Sequence, residues 1–334
     1  MSTAVIDGIA TRYEIVGSGP PLLMYAPGGF NAVVEAWSTL GVYQKIKLLD
    51  HLPAHFTCIL FDRRECGQSG GRVEPISWAH YVAQGKGLLE HLAIARAHLI
   101  GGCMGCAPVA AFAVAHPDMV ASLVLYWPVG GTKYRISSHQ RFADHIAFVR
   151  ENGLDQVVAL VRAEGKPFGA DPRGGPWAAV IKRDADFAAA YARQDRQRYI
   201  ATCASMRDAL FDRDTAPGAA PEQLMRVAIP AFICRVTMPR MPPRQRAIWK
   251  SACRNLTIGT LPSRRRPKRR PIRACSNFCV ACGYDEPMRE MRVRPGCRRV
   301  RHRRGPDHRA AADRGRAPRG SAAVRLRFAG RASE

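Results

Sequence analysis

The sequence predicts an α/β fold, a doubly wound and mostly parallel sheet, on three observations. Short apolar runs recur through the first 131 residues, each closed by a Gly-containing turn. Segments with helical spacing of apolar residues lie between them, and the connections are short. One run, His98-Leu99-Ile100, passes into Gly101-Gly102-Cys103-Met104-Gly105 and then into small residues, the pattern of a buried strand, a sharp turn and a helix start.

The elements follow in order. Residues 10–17 alternate as a half-exposed strand does, and Gly17-Ser18-Gly19-Pro20-Pro21 is a turn. Residues 22–26 form a short apolar strand that runs into Pro27-Gly28-Gly29-Phe30-Asn31. Residues 37–52 have helical spacing and lead to a buried strand over 56–61, which ends in Asp62-Arg63-Arg64-Glu65-Cys66-Gly67-Gln68-Ser69-Gly70. Residues 78–92 place Trp78, Tyr81, Val82, Leu88, Leu89 and Leu92 on one helical side. The strand 97–100 feeds the Cys103 turn, a small-residue helix covers 108–115, and 120–127 is the next strand. Strand and helix alternating with short loops means a parallel sheet with helices on both faces.

From 132 to 226 the pattern changes to Ala-, Arg- and Asp-rich helical segments, notably 142–150 and 187–206, interrupted by Gly165-Lys166-Pro167-Phe168-Gly169 and Pro172-Arg173-Gly174-Gly175-Pro176. A strand over 227–234 closes the ordinary part of the chain. The predicted organisation is a core (1–131), a helical insertion (132–226), one core strand (227–234) and a basic tail (235–334).

The chemistry centres on the Gly-x-Cys-x-Gly turn. A nucleophile on so sharp a turn has a strained backbone, and side chains two residues to either side meet neighbouring elements, so Gly101 and Gly105 are needed there. The helix that follows directs N–H groups and its positive end at the Cys103 sulfur. An inert buried thiol is the competing reading of Cys103.

Residues 10–131 resemble the first half of the α/β-hydrolase superfamily. The Gly28-Gly29 loop, an Asp-x-Arg loop at Asp62 and the nucleophile elbow occur in family order and at family-like spacing. The Cys103 elbow is similar to the cysteine-nucleophile minority exemplified by dienelactone hydrolases. The resemblance implies hydrolysis of a small ester, thioester or lactone without metal or cofactor, with Cys103 attacking the carbonyl. It implies an oxyanion hole from the backbone N–H groups of Met104, Gly29 and Phe30, although the glycine pair also suits a plain tight turn. It implies that 132–226 forms a cap that shapes substrate choice, in which Tyr134, Phe148, Trp177 and Tyr191 are pocket or cap-core residues. Glu65 departs from the family, where glycine is usual. The Asp62 loop reads as structural.

A general base and acid should follow the nucleophile in chain order, and neither is assigned. His116 reads as a helix terminus and His139 and His145 as cap surface. Asp208, Asp212 and Asp214 read as solvated helix charges. Cys106 forms a Cys-x-x-Cys with Cys103, but the elbow accounts for Cys103 without a redox pair.

Composition bounds the rest. No apolar run reaches the length of a membrane span, the first residues lack a signal-peptide pattern, and 11 cysteines are irregularly placed. The expectation is a cytoplasmic protein with reduced thiols, a small-molecule substrate and no membrane partner. The net charge of +24 is unevenly spread: residues 1–234 hold 23 basic and 21 acidic residues, whereas 235–334 hold 28 and 6.

Three readings of 235–334 compete. The first is a nucleic-acid-binding tail, with Trp249, Phe278, Tyr284 and Phe328 its only aromatics. The second is a metal site on Cys275, Cys279 and Cys282 with Cys297 or His302, at loose spacing. The third is translation in the wrong frame. Reading each codon's third base with the next two permits Gly-Asp-Asp directly after the 227–234 strand, then an amphipathic helix, a strand and a closing helix. The Met238-Pro239 and Met241-Pro242 pairs must then each yield Ala, and Trp249-Lys250 must yield Glu. Low apolar content predicts disorder for the tail as written, and the frame reading accounts for its abrupt start.

Overall fold

The computed structural model describes residues 1–234. The tail expectations for 235–334, its disorder, its cysteine group and its reading frame, lie outside the described residues.

Seven strands form one sheet, β1 (Ser2–Ile6), β2 (Ile9–Val16), β3 (Pro21–Tyr25), β4 (Thr57–Phe61), β5 (Ala97–Gly102), β6 (Val120–Tyr126) and β7 (Ala231–Cys234), in the order β1-β2-β4-β3-β5-β6-β7. The pairs β1–β2 and β2–β4 are antiparallel. From β4 to β7 every pair is parallel. The α/β sheet expected from the sequence is present.

Strand periodicity assigns side chains to the two faces. Leu23, Tyr25, Ile59, Phe61, Leu99, Leu123, Leu125 and Ile233 pack on one side with Leu88, Leu89, Val109 and Phe112 of α4 (Trp78–His91) and α5 (Cys106–Ala115). Their neighbours Leu22, Met24, Cys58, Leu60, Ile100, Val124 and Tyr126 face the other way, onto Trp37, Tyr43 and Leu48. A strand buried on both faces has no polar side to show, which is why these runs read as continuously apolar.

Three differences from the sequence reading have local causes. Strand β1 was not anticipated; it pairs with β2 through Asp7 and Gly8, both at positive φ (49° and 70°), as a tight hairpin turn requires. The 37–52 segment is three short helices, α1 (Ala36–Thr39), α2 (Gly41–Ile46) and α3 (Leu48–His51), because Leu40 is extended and Lys47 is left-handed. The 227–234 strand begins only at Ala231, after Pro230.

Between β6 and β7 lie α6 (Thr132–Asn152), α7 (Leu154–Glu164), α8 (Ala178–Arg183), α9 (Ala185–Ala192), α10 (Arg196–Leu210) and the short α11 (Pro221–Leu224). The expected 187–206 helix is divided because Asp195 starts a new one, its carboxylate accepting the Arg198 N–H at 2.7 Å. Phe142, Phe168, Trp177, Tyr191 and Tyr199 form the core of this insertion, which also includes Phe30 and Met104 beside the Cys103 turn.

The Asp62 loop is knit to its surroundings. Asp62 accepts from the backbone N–H groups of Val34 (2.8 Å) and Gln68 (2.7 Å) and pairs with Arg12 at 3.3 Å. Glu65 stands at φ +65° and is 2% exposed, against Arg64 Nε at 3.0 Å. Burial pushes its carboxyl up to about 7, opposed by the Arg64 charge. The folded protein therefore binds this proton more tightly than the unfolded chain, whose reference value is 4.5. The contribution is fully present below that value and is lost as pH rises through about 7, with a slope of at most about 1.4 kcal/mol per unit. Glu65→Gln should flatten the fall in urea-measured stability between about pH 5 and about pH 8. An unchanged slope would show that Glu65 does not titrate in this window.

Candidate active site

Strand β5 delivers Cys103 onto the turn at φ +52°, the left-handed region that a side chain adopts only at a cost of about 1–3 kcal/mol. The surrounding packing holds it there. A Cβ on Gly101 would lie 2.3 Å from the Gly105 carbonyl oxygen, and one on Gly105 would lie 2.4 Å from that of Tyr25. Gly102 is closed by the Tyr43 ring at 3.0 Å, whose hydroxyl donates to the Tyr126 carbonyl at 3.1 Å.

The Cys103 side chain is partly exposed. Burial raises its thiol pKa above the ordinary value, against the lowering effect of the Met104 and Gly28 N–H groups and of the Arg63 charge. Met104 thus has its N–H at the sulfur. Gly29, at φ +60°, faces the Met104 side chain, and Phe30 turns its ring into the aromatic cluster with Phe142 and Phe168, at centroid distances of 5.7 and 5.1 Å. The loop 28–30 and the elbow are therefore neighbours, and the loop N–H that acts on the sulfur is that of Gly28, whereas the sequence reading named those of Gly29 and Phe30.

The elbow helix continues from Cys106, whose thiol donates to the Gly101 carbonyl at 3.0 Å and is wholly buried. This bond gives Cys106 a packing role in the turn. Of the aromatics named from the sequence, Trp177 and Tyr191 are insertion core and Phe148 packs against it. Tyr134 is partly buried against the same cluster, which includes Phe30 and Met104, with its ring 5.8 Å from that of Phe211, and the Cys103 and Arg63 charges act on its phenol. Helix α6 thus brings Tyr134 to the elbow.

Each described histidine after Cys103 is engaged elsewhere. His116 caps α5 against Phe112, and His139 Nε2 bonds the Phe211 carbonyl at 2.9 Å. His145 is not surface, as the sequence suggested, but fully buried: its ring bonds the Tyr199 hydroxyl (2.6 Å) and the Arg173 carbonyl (3.1 Å), and burial lowers its pKa to about 4. Its position on α6 facing Phe142 and Val149 at helical spacing was the available signal. Asp208, Asp212 and Asp214 pair with Arg207, Arg213 and Arg135. Among the described residues there is no group of three or more His, Cys, Asp or Glu placed to hold a metal.

Arg63 is the residue of this site that sequence reasoning missed. It follows Asp62 at the end of β4, is 3% exposed, donates through Nη2 to the Gly29 carbonyl and lies with its guanidinium carbon 4.2 Å from the centre of the Tyr81 ring. Nothing in the spacing of the loop distinguishes it from the neighbouring Arg64, which is spent on Glu65 and Glu74.

A parallel sheet with two antiparallel edge strands, a strained residue between β5 and α5, and helices inserted after β6 constitute the α/β-hydrolase fold. A family model described as alpha/beta hydrolase fold matches residues 21–160, and this stretch is similar to it. Curated relatives are distant. The dihydrolipoyllysine-residue acetyltransferase component of an acetoin cleaving system from Cupriavidus necator is 29% identical over 127 residues, 38% of this chain and 32% of its own length. An uncharacterized protein of Mycobacterium bovis is 29% identical over 169 residues, 49% of this chain and 46% of its own length. The chain thus spans less than half the length of these relatives. Among solved structures, a hydrolase from Pseudomonas aeruginosa is 20% identical with a TM-score of 0.49, covering 78% of this chain and 90% of that one. An enol-lactonase from Burkholderia xenovorans is 18% identical with a TM-score of 0.47, covering 77% and 90%. Among the described residues no helix is long and apolar enough to cross a membrane.

Proposed function

We propose that this chain carries the nucleophile half of a hydrolase for small esters, thioesters or lactones, with Cys103 as nucleophile. The observation that carries the reading is the Cys103 backbone at φ +52°, held between two glycines that admit no side chain, with the Met104 and Gly28 N–H groups at the sulfur. In the reaction the Cys103 thiolate adds to the carbonyl carbon, and the carbonyl electron pair moves onto oxygen. N–H groups of Met104 and of the 28–30 loop hold that oxyanion. Collapse expels the alkoxide, thiolate or ring-opened leaving group, which takes up a proton, and water hydrolyses the acyl-Cys103 thioester. The inserted helices act as a cap, with Tyr134 as the part that reaches the elbow.

Activity of the chain as written is impaired. A raised thiol pKa with no described imidazole at the sulfur leaves the nucleophile protonated at neutral pH. The acid and base belong to the segment after Cys234 in the alternative frame. A cytoplasmic location accompanies this reading, and no metal or cofactor is required by it.

With p-nitrophenyl acetate, the expected result is a burst of about one p-nitrophenolate per chain attributable to Cys103, followed by slow turnover. The burst rate should keep rising as pH passes the ordinary thiol value of 9.0, because the thiol is raised. Cys103→Ala should remove that equivalent, and Cys103→Ser should slow it. Equal behaviour of all three proteins would overturn the assignment of Cys103.

A further inference from the structure

We infer that Trp127 is the specificity-determining residue of the site, a fixed plate beside Cys103 that selects substrates with a flat, conjugated acyl group. The inference rests on the reading of Cys103 as nucleophile and names the substrate class for that site.

Two strained residues stand side by side at the C-terminal edge of the sheet. Strands β5 and β6 run parallel and end with Gly102 paired to Tyr126, so Cys103 and Trp127 are the next residues out on adjacent strands. Both have left-handed backbones, Cys103 at φ +52° and Trp127 at φ +58°. Trp127 is the only aromatic among the described non-glycine residues at positive φ. A bulky side chain is an outlier there, and backbone strain of this kind gathers at ligand sites. Core packing does not call for it: Trp37 and Trp177 are completely buried without it.

The neighbours of Trp127 hold its ring in place. Its N–H donates to the Cys234 carbonyl of β7 at 2.8 Å. Its ring centre lies 5.7 Å from that of Tyr126 and 6.2 Å from that of Tyr43, the residue that closes Gly102. Trp127 is half-buried, and it packs with Cys103 against one cluster.

Sheet order decides which part of a substrate meets this wall. In the sequence β3-β5-β6 the 28–30 loop, which follows β3, lies on one side of Cys103 and Trp127 on the other. A carbonyl whose oxygen points to that loop directs its other substituents away from it, toward Trp127 and the inserted helices. The leaving group has to depart and admit water. A pinned wall suits the acyl group, which stays on the sulfur through both steps. An aryl or alkenyl group conjugated with the carbonyl is flat and presents a face to the indole, and aromatic contacts add to what the buried area alone gives.

The test offers the full chain p-nitrophenyl benzoate and p-nitrophenyl cyclohexanecarboxylate together in equal amounts, with N-acetylcysteine in the same solution. With either ester the sulfur bonds to the acyl carbon and p-nitrophenolate leaves. The two acyl groups are close in size, and only the first is flat. Peptide mass spectrometry at early times gives the benzoyl to cyclohexanecarbonyl ratio on Cys103. Dividing it by the ratio on N-acetylcysteine removes the intrinsic reactivity of the esters, and thiol ionisation cancels within each ratio. The quotient should be about 3 to 10, Trp127→Phe should keep part of it, and Trp127→Leu should bring it to about 1. A quotient at or below one in the unmodified chain, or one unchanged in Trp127→Leu, would overturn the assignment of Trp127. The first of these needs no variant to fold. Should neither ester label Cys103, the nucleophile reading fails on its own. The plate is then decided by calorimetry on Cys103→Ala, where methyl benzoate should bind at least about threefold more tightly than methyl cyclohexanecarboxylate. Equal binding overturns it.

Discussion

Gly105→Ala should cost the fold about 3 kcal/mol or more, the upper end of what overpacking a core produces. The added carbon would lie 2.4 Å from the Tyr25 carbonyl oxygen and 2.8 Å from that of Ala26, both backbone atoms at the C-terminal end of β3. Neither can rotate away as a side chain does, so α5 has to move off the sheet. That helix carries Val109 and Phe112, both fully buried, so its displacement opens the core. Gly101→Ala meets the Gly105 carbonyl oxygen at 2.3 Å and should behave alike. Gly102→Ala is the control, since the atoms nearest its added carbon belong to the Tyr43 side chain, at 3.0 Å, and it should be milder than either. Urea denaturation of the three variants gives the order directly. A Gly105→Ala protein within about 1 kcal/mol of the parent would mean that the elbow is not locked by the contact with β3.

What could be read from the sequence follows from how each feature is encoded. Strands β3 to β6 were legible because both of their faces are buried, so apolar residues run unbroken until a glycine turn. The elbow was legible because its glycines answer a backbone collision, and no other residue type avoids it. Strand β1 was hidden by its half-exposed edge position, where Val5 is 73% exposed, although Asp7-Gly8 is a hairpin signal. The helix break at Lys47 was hidden because a left-handed lysine leaves no compositional trace. His145 looked like surface because a neutral imidazole can be buried once both ring nitrogens have partners, here Tyr199 and the Arg173 carbonyl. Arg63 was illegible for a different reason. Its role depends on which arginine of an Arg-Arg pair finds the local carboxylates, a matter of three-dimensional contact that spacing does not express.

The largest gain in activity is expected from restoring the alternative reading frame after the Cys234 codon. In the sheet as described, β7 pairs with β6 alone and is the last strand in the order. Its Ala231 and Ile233 side chains extend one core face and Phe232 and Cys234 the other, so the strand is already built into both layers. Immediately afterwards the sequence changes from nearly balanced charge to 28 basic against 6 acidic residues. The alternative frame instead supplies Gly-Asp-Asp at the end of β7, where the superfamily resemblance places the triad acid, and later a histidine and further apolar segments. Cys103 would then have an imidazole to take its proton and an aspartate to orient that imidazole. A positioned base contributes about a hundred- to ten-thousand-fold, and p-nitrophenyl acetate turnover should rise by that order while the burst at Cys103 gives way to steady hydrolysis. The thiol should also ionise at lower pH, because an adjacent imidazolium favours thiolate. Resequencing the gene across the Cys234 codon tests the premise separately: an unambiguous reading in the present frame removes it. If the frame is altered and turnover stays at the level of the chain as written, the missing acid and base are not what limits Cys103.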